Sequence, residues 1–304
     1  MRTAARPAPP SVVRVGTFGG VSALPLLVAQ RLGLDTAHGL SLATARTSDS
    51  GTLRDDLLAG RIDVAHAAPD NAIAWADALD GDAHRGPASV AVWLAGSNGP
   101  ITLVAREAPD IASLRGGRIA VDAPTSGFAP ILVRLLASAG LASADVELVA
   151  LGATRMRHAA LLEGRVDASM LTLPWSALAV GAGLRRLGDH ATIAAGMLTS
   201  AAIVRRDWLA THAELADRYR RTVDAALGWL RDPASHDTAA AWLAEDLGLE
   251  ADTAGEVLEV MADRIVGWPP SVVPAVRAIE ETATLRVAAG LRPLRPASDY
   301  LVLP

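Results

Sequence analysis

Short β-branched runs alternate with stretches of helical spacing along most of the chain. From Val12 to Phe18 the residues are largely apolar and β-branched, and Gly19-Gly20 closes the run, so a buried strand is predicted there; Ala23–Leu34 then carries an apolar face at helical spacing. Leu40–Arg46 reads as a second strand, Thr52–Leu58 as a helix, and Ile62–Ala67 as a third short strand stopped by Pro69. Strands alternating with helices in this way build mainly parallel sheets covered on both faces.

The pattern then starts again. LLAGRID at 57–63 returns as LLEGRVD at 161–167, 104 residues later, and Val13-Arg14-Val15 returns at the same offset as Gly117-Arg118-Ile119. With one residue added, Leu24-Pro25-Leu26-Leu27-Val28 aligns with Ala129-Pro130-Ile131-Leu132-Val133. Two halves with one plan explain three agreements in register; convergence of helix–Gly–strand junctions is the simpler alternative. Trp93–Arg106, two apolar strands around Gly-Ser-Asn-Gly-Pro, suits a crossing between lobes, and Met197–Arg205 suits the return. Four helical patterns follow, near 207–231, 236–247, 252–265 and 271–289; the first repeats Leu215, Tyr219, Val223, Ala226, Leu227 and Leu230 on one face. The expected organisation is a discontinuous first lobe, 12–97 plus 205–304, a second lobe, 98–196, hinge crossings at 97–106 and 196–205, and a disordered tail over 1–11.

Composition narrows the chemistry. Of 304 residues 51% are apolar and 20% charged, enough for a large buried core, and the net charge of −5 offers no field for nucleic acid or anionic membranes. Apolar stretches such as 191–204 are too short and too interrupted to span a bilayer. The opening MRTAARPAPPSVV has two arginines but no apolar stretch before the first strand, so the chain is cytoplasmic or its leader is missing from the assigned start. Cysteine is absent, and every one of the 28 basic residues is arginine. Thiolate nucleophiles, Cys-ligated zinc, Schiff-base lysines and a P-loop are thereby excluded, and no cofactor or metal is expected.

With VVRVGTF…ALPLLVAQRLGL, LLAGRIDVAHAAP, SLRGGRIAVDAPTSG and LLEGRVDASMLTLPW in this order over 12–205, the chain resembles the type II periplasmic-binding-protein fold, in the branch of sulfonate, taurine, nitrate and thiamine-pyrimidine binders. The resemblance implies a two-lobed α/β protein, a sheet flanked by helices in each lobe, and a ligand held in the cleft between them. It also implies an ABC permease and ATPase as partners, a periplasmic or cell-surface location, and a monomer. Relatives that are enzymes on this fold, a sulfinate desulfinase and the pyrimidine synthase of thiamine formation, depend on cysteines that this chain lacks.

In open α/β sheets ligands sit beyond the carboxyl ends of strands, which singles out four loops. Thr17, Phe18, Gly19, Gly20 and Ser22 open the first helix, and Thr125, Ser126, Gly127 and Phe128 open its counterpart. Their N–H groups and hydroxyls suit a carboxylate or sulfonate, unless the hydroxyls only cap the helices. Pro69, Asp70 and Asn71 follow the third strand, and Thr172 and Trp175 occupy the matching loop of the second half; Ser48 follows the second strand. Phe18 and Phe128, the chain's two phenylalanines, could form an apolar slot with Trp175 for a flat ligand, or simply pack in the core. Arg155 is the best candidate to pair with an anionic group, whereas Arg61 and Arg165 sit at helix ends and Asp63 and Asp167 are expected to bond local backbone.

His66 is the one histidine expected to approach the cleft, packed and hydrogen-bonded or, with Asp70, acting as a proton carrier. Gly20-Val21-Ser22 matches only part of a nucleophile elbow, and Gly16–Gly20 lacks dinucleotide-loop spacing. Two readings follow: a solute-binding protein for a small organic anion with an aromatic part, serving an ABC-type importer, or a lyase- or decarboxylase-like enzyme on the same fold acting on a small aromatic or carboxylate substrate.

Overall fold

The computed structural model describes residues 9–79, 86–125, 127–263 and 266–303. Among these residues ten strands form two five-stranded sheets. The first contains β1 (Ser11–Thr17), β2 (Leu40–Arg46), β3 (Val64–Ala67), β4 (Val90–Ser97) and β10 (Ser200–Arg205), in the order β2-β1-β3-β10-β4. The second contains β5 (Ile101–Ala105), β6 (Arg118–Val121), β7 (Glu147–Ala150), β8 (Ala168–Thr172) and β9 (Arg185–Asp189), in the order β7-β6-β8-β5-β9. In each sheet one strand, β10 or β5, runs antiparallel to both neighbours, and these are the strands by which the chain enters one sheet from the other. The chain is thus two-lobed, each lobe a mainly parallel sheet flanked by helices.

The sequence echo persists in the hydrogen-bond register. Arg14↔Ala43 on β1 and β2 becomes Arg118↔Glu147 on β6 and β7, and Val15↔Val64 on β1 and β3 becomes Ile119↔Ala168 on β6 and β8, each 104 residues later. Asp63 accepts the Arg14 N–H at 2.9 Å, and Asp167 accepts the Arg118 N–H at 2.7 Å. These two aspartates bond backbone, though of the neighbouring strand 49 residues away rather than local backbone. Convergence at one helix–Gly junction accounts for a motif but not for a shared ladder.

In the first half the helices are α1 (Leu24–Arg31), α2 (Leu34–Ala37), α3 (Ser50–Leu58) and α4 (Pro69–Asp77). In the second they are α5 (Ala129–Ser138), α6 (Thr154–Leu162), α7 (Trp175–Gly181) and α8 (Ala191–Ala194). Proline in the first turn of α1, α4 and α5 starts a helix without losing an intrahelical bond. The tail adds α9 (Arg206–Thr211), α10 (Ala213–Leu230), α11 (His236–Leu247), α12 (Ala251–Met261) and α13 (Val276–Ala288). One core cluster joins Tyr219, Val223 and Leu227 of α10, Leu243 of α11 and Leu258 of α12 to Val13, Val15 and Trp93 of the first sheet. By contrast α13 straddles the lobes, with Ile279 in a first-lobe cluster and Leu285 in the second-lobe core.

Several expectations are corrected. The predicted 207–231 helix is two helices broken at His212; of the tail expected over 1–11, residues 1–8 lie outside the described residues and Ser11 already stands in β1, paired with Leu40. The stretch read as a return crossing, Met197–Arg205, includes a full strand, β10, whose residues are buried by their pairing with β3 and β4. Among the described residues no helix is long and apolar enough to cross a membrane.

Candidate functional site

A cavity of about 530 Å³ lies between the lobes, at the carboxyl ends of the parallel strands, and its size suits a small organic molecule. Its first-lobe wall comes from the loop after β1 (Phe18, Gly19, Gly20, Ser22), the end of β2 (Arg46, Thr47, Ser48), the end of β3 with α4 (His66, Ala67, Ala68, Asn71) and Thr199 and Ser200 beside β10. The second-lobe wall comes from Asp122 and Phe128 after β6, Gly152–Arg157 at the start of α6, and Thr172, Leu173 and Trp175 after β8. Asp246, Leu247 and Met261 of the tail helices complete the rim. Pseudo-equivalent loops of the two halves therefore face one another.

At the mouth the lobes touch directly. The Ala153 N–H donates to the Ser48 carbonyl at 2.9 Å. Gly152, at φ +64°, permits this approach: a Cβ there would stand 2.7 Å from the Ser48 oxygen. Gly127, at φ +68°, is equally constrained, because a Cβ would overlap the Asp122 carboxylate, which accepts the Phe128 N–H at 3.1 Å.

Of the predicted residues, Phe18, Gly19, Gly20, Ser22, Ser48, His66, Asn71, Phe128, Arg155, Thr172 and Trp175 lie on the cavity wall. Three aromatic rings from opposite lobes thus meet on one space, and Trp175 also packs 5.4 Å from the His158 ring. Arg155, in the first turn of α6, is exposed and has no hydrogen-bond or ion-pair partner among the described residues. The arginine two positions on is the opposite case: Arg157 is buried, its guanidinium donating to the Met170 carbonyl at 2.9 Å, to the Gly152 carbonyl and to the Thr154 hydroxyl at 2.9 Å. Burial lowers the Arg157 pKa and raises that of Asp122, and each opposes the other's shift by its charge.

Other predicted residues stand elsewhere. Thr17 is buried behind the wall, where its hydroxyl accepts the Gly19 N–H at 3.2 Å; Ser22, although on the wall, donates to the Gly19 carbonyl at 3.2 Å, so both serve the local turn. Pro69, Thr125 and Gly127 are not on the wall, and Ser126 lies outside the described residues. Asp70 is turned from the cavity into an ion pair with Arg286 of α13, 2.9 Å away and fully buried. Burial pushes the Asp70 carboxyl up to about 6 in spite of that arginine and of a hydrogen bond from the Gly127 N–H. The pair ties α4 to α13, and Arg286 in turn reaches the Thr125 carbonyl of the second lobe at 3.4 Å, away from the cavity wall.

His66 does reach the wall. Its Nε2 lies 2.8 Å from the Tyr219 hydroxyl, and burial drives its pKa down to about 4. Sequence reasoning missed Arg46 and Asp122, although both stand at the carboxyl ends of strands, the place already singled out. Arg46 is paired with Asp246 of α11 at 2.5 Å. Among the described residues no group of three or more His, Asp or Glu could hold a metal ion.

Residues 6–244 match the NMT1-like family. No curated protein matches the chain. Among solved structures, the alkanesulfonate-binding protein SsuA from Xanthomonas axonopodis pv. citri, bound to MOPS, is 22% identical, with 98% of this chain and 100% of that one covered at a TM-score of 0.77. The periplasmic nitrate-binding protein NrtA from Synechocystis PCC 6803 is 14% identical over 95% of this chain and 84% of that one, at 0.78. A Candida albicans gene product described as having the generic periplasmic binding protein fold is 17% identical over 96% of each chain, at 0.74. A match over most of the sequence, on two lobes of this topology, means that the chain belongs to the NMT1-like family and has the type II periplasmic-binding-protein fold.

Proposed function

We propose that the protein is a solute-binding protein that closes its two lobes around one small organic anion with an aromatic part and delivers it to an ABC-type importer. The observation that carries this reading is the convergence of Phe18, Phe128 and Trp175 on a single inter-lobe cavity beside the unpaired Arg155. Three rings suit a flat ligand, and a planar guanidinium suits carboxylate or sulfonate oxygens. The structurally similar SsuA and NrtA are binders of alkanesulfonate and nitrate, which supports an acidic solute and an importer's permease and ATPase as partners. Lobes of 12–97 plus 205–304 and of 98–196 would close about the crossings at 97–106 and 196–205, with the protein acting as a monomer.

A thermal-shift panel of aromatic carboxylates, aryl sulfonates, aliphatic sulfonates and nitrate tests it. A ligand at a hundred times its Kd stabilises the folded state by about 2.7 kcal/mol. Aromatic acids should raise Tm in a concentration-dependent way and the small anions should not. If only nitrate or aliphatic sulfonates do so, the rings are core and the aromatic reading is wrong.

A further inference from the structure

Three polar side chains on the first-lobe wall lack something to bond. His66, Asn71 and Ser200 are 3%, 2% and 4% exposed, all three form part of the cavity wall, and His66 Nδ1, Asn71 Oδ1 and Ser200 Oγ have no hydrogen-bond partner among the described residues. They are neighbours by topology. His66 pairs with Ala202 and Ala67 with Ala201 across β3 and β10, which puts Ser200 next along that edge, while the Asn71 N–H donates to the Ala68 carbonyl one turn into α4. Buried polar atoms are rarely left unbonded, and three of them on one cavity wall are met by ordered water or by a bound molecule.

Their chemistry specifies that partner. Tyr219 is fully buried in the apolar core and has His66 Nε2 as its hydrogen-bond partner. A donating Nε2–H would strand the hydroxyl proton there, so the tyrosine donates to Nε2 and the ring proton sits on Nδ1. His66 therefore presents a donor, Asn71 Oδ1 an acceptor, and Ser200 Oγ either. None is charged, since burial keeps the imidazole neutral. The one arginine on this wall, Arg46, is already neutralised by Asp246, whereas the facing wall carries Arg155, Arg157 and Asp122.

We propose that His66, Asn71 and Ser200 form a subsite for an uncharged donor–acceptor group of the carboxamide type, at the end of the ligand opposite its acidic group. Its carbonyl accepts from His66 Nδ1–H and its N–H donates to Asn71 Oδ1, with Ser200 bonding to whichever atom remains. Tyr219 is a positioning residue that fixes the tautomer. The inference rests on the reading of the cavity as a site for an aromatic acid, and it adds an orientation: acid toward the second lobe, neutral polar group toward the first.

Calorimetry on the full chain with three para-substituted benzoates tests it. Para-carbamoylbenzoate should bind about tenfold more tightly than para-toluate, the effect of one to two net hydrogen bonds, and terephthalate should gain nothing from its second carboxylate. In Asn71→Leu and His66→Phe the preference should fall below about threefold while para-toluate still binds. Tyr219→Phe should reduce the preference by freeing the other tautomer, a change of selectivity that loss of packing alone does not produce. Equal binding of para-carbamoylbenzoate and para-toluate by the unaltered protein overturns the subsite and leaves the aromatic-acid reading standing. A preference that survives both wall substitutions also overturns it. Failure of all three benzoates to bind removes the aromatic-acid reading and the subsite with it.

Discussion

Replacing Arg286 with methionine should reveal how much of the inter-lobe geometry depends on one ion pair. The side chains of Arg286 and Asp70 are 0% and 2% exposed, their contact is 2.9 Å, and the arginine also reaches the Thr125 carbonyl at 3.4 Å. Breaking a buried pair by removing one partner leaves an uncompensated charge and costs about 3–5 kcal/mol. At about 2 °C per kcal/mol, the figure for larger domains, Tm should fall by about 6–10 °C. Asp70→Asn on top of Arg286→Met removes the stranded charge, so the double variant should recover a large part of the loss. Acid should help the single variant as well. The folded-state pKa of Asp70, about 6, is above the ordinary 3.8, so the folded chain takes up this proton first and the contribution of Asp70 to stability grows as pH falls through that window. Without Arg286 burial is opposed only by the Gly127 N–H and lifts the pKa further, so the deficit at pH 7.5 should shrink by pH 5. Scanning calorimetry of the parent protein, Arg286→Met, Asp70→Asn and the double variant at both pH values decides it. A fall below about 2 °C, or double-variant losses that simply add, would refute the reasoning.

The other predictions concern the cavity. Arg155→Ala should weaken an anionic ligand by at least ~1.5 kcal/mol, the lower bound for a hydrogen bond to a charged group, without changing the Tm of the ligand-free protein; unchanged affinity by calorimetry removes Arg155 from the site. Trp175→Ala should cost an aromatic carboxylate about 0.5–1.5 kcal/mol beyond the area lost and leave any nitrate binding as it was, which competition titration reads directly. On acidification from pH 7.5 to 5 the protein should lose stability. His66 and His190 are held down to about 4 by burial, so the unfolded chain takes up their protons first and the stability present above pH 6.5 is lost toward pH 4. At pH 5 that is about 2 kcal/mol for each, against about 1.4 kcal/mol regained through Asp70, for a net loss of about 2–3 kcal/mol. A Tm that rises over this interval would show that these histidines are not held neutral.

How much of this could be read from the sequence depended on how local the physics is. The strand–helix alternation, the proline-started helices and the 104-residue echo are local patterns, and the ladders keep the same offset. The rule that ligands gather beyond strand carboxyl ends led to Phe18, His66, Phe128 and Trp175, and applied evenly it would have given Arg46 and Asp122 too. Asp70 and Asn71 show where the rule ends. They are consecutive in the first turn of α4, so the helix points them about 100° apart, one to Arg286 and the other to the cavity. The choice between them was made by α13, more than two hundred residues away in sequence. Asp246 and Met261 reach the rim in the same way, on tail helices whose placement follows from packing against the first sheet rather than from any motif.

The duplication also explains why the cavity need not be symmetric although its frame is. Shared ladders fix where each strand ends, so both halves deliver loops to one space, but the loops themselves are free to differ. After β3 the chain passes through Ala68 into α4, and His66 and Asn71 form part of the wall; after β8 it passes through Leu173 and Pro174 into α7, whose first residue, Trp175, is on the wall. At the end of β2 stands Arg46, neutralised by Asp246, while the matching position on β7 is Ala150 and the cationic residues come from α6. Phe18 apart, one wall is then hydrogen-bonding and effectively neutral, while the other carries Phe128, Trp175 and the charged groups. A ligand with distinct ends gains more from such a pair of walls than a symmetric anion does, because reversing it would set an acid against the neutral wall and strand Arg155 opposite an amide.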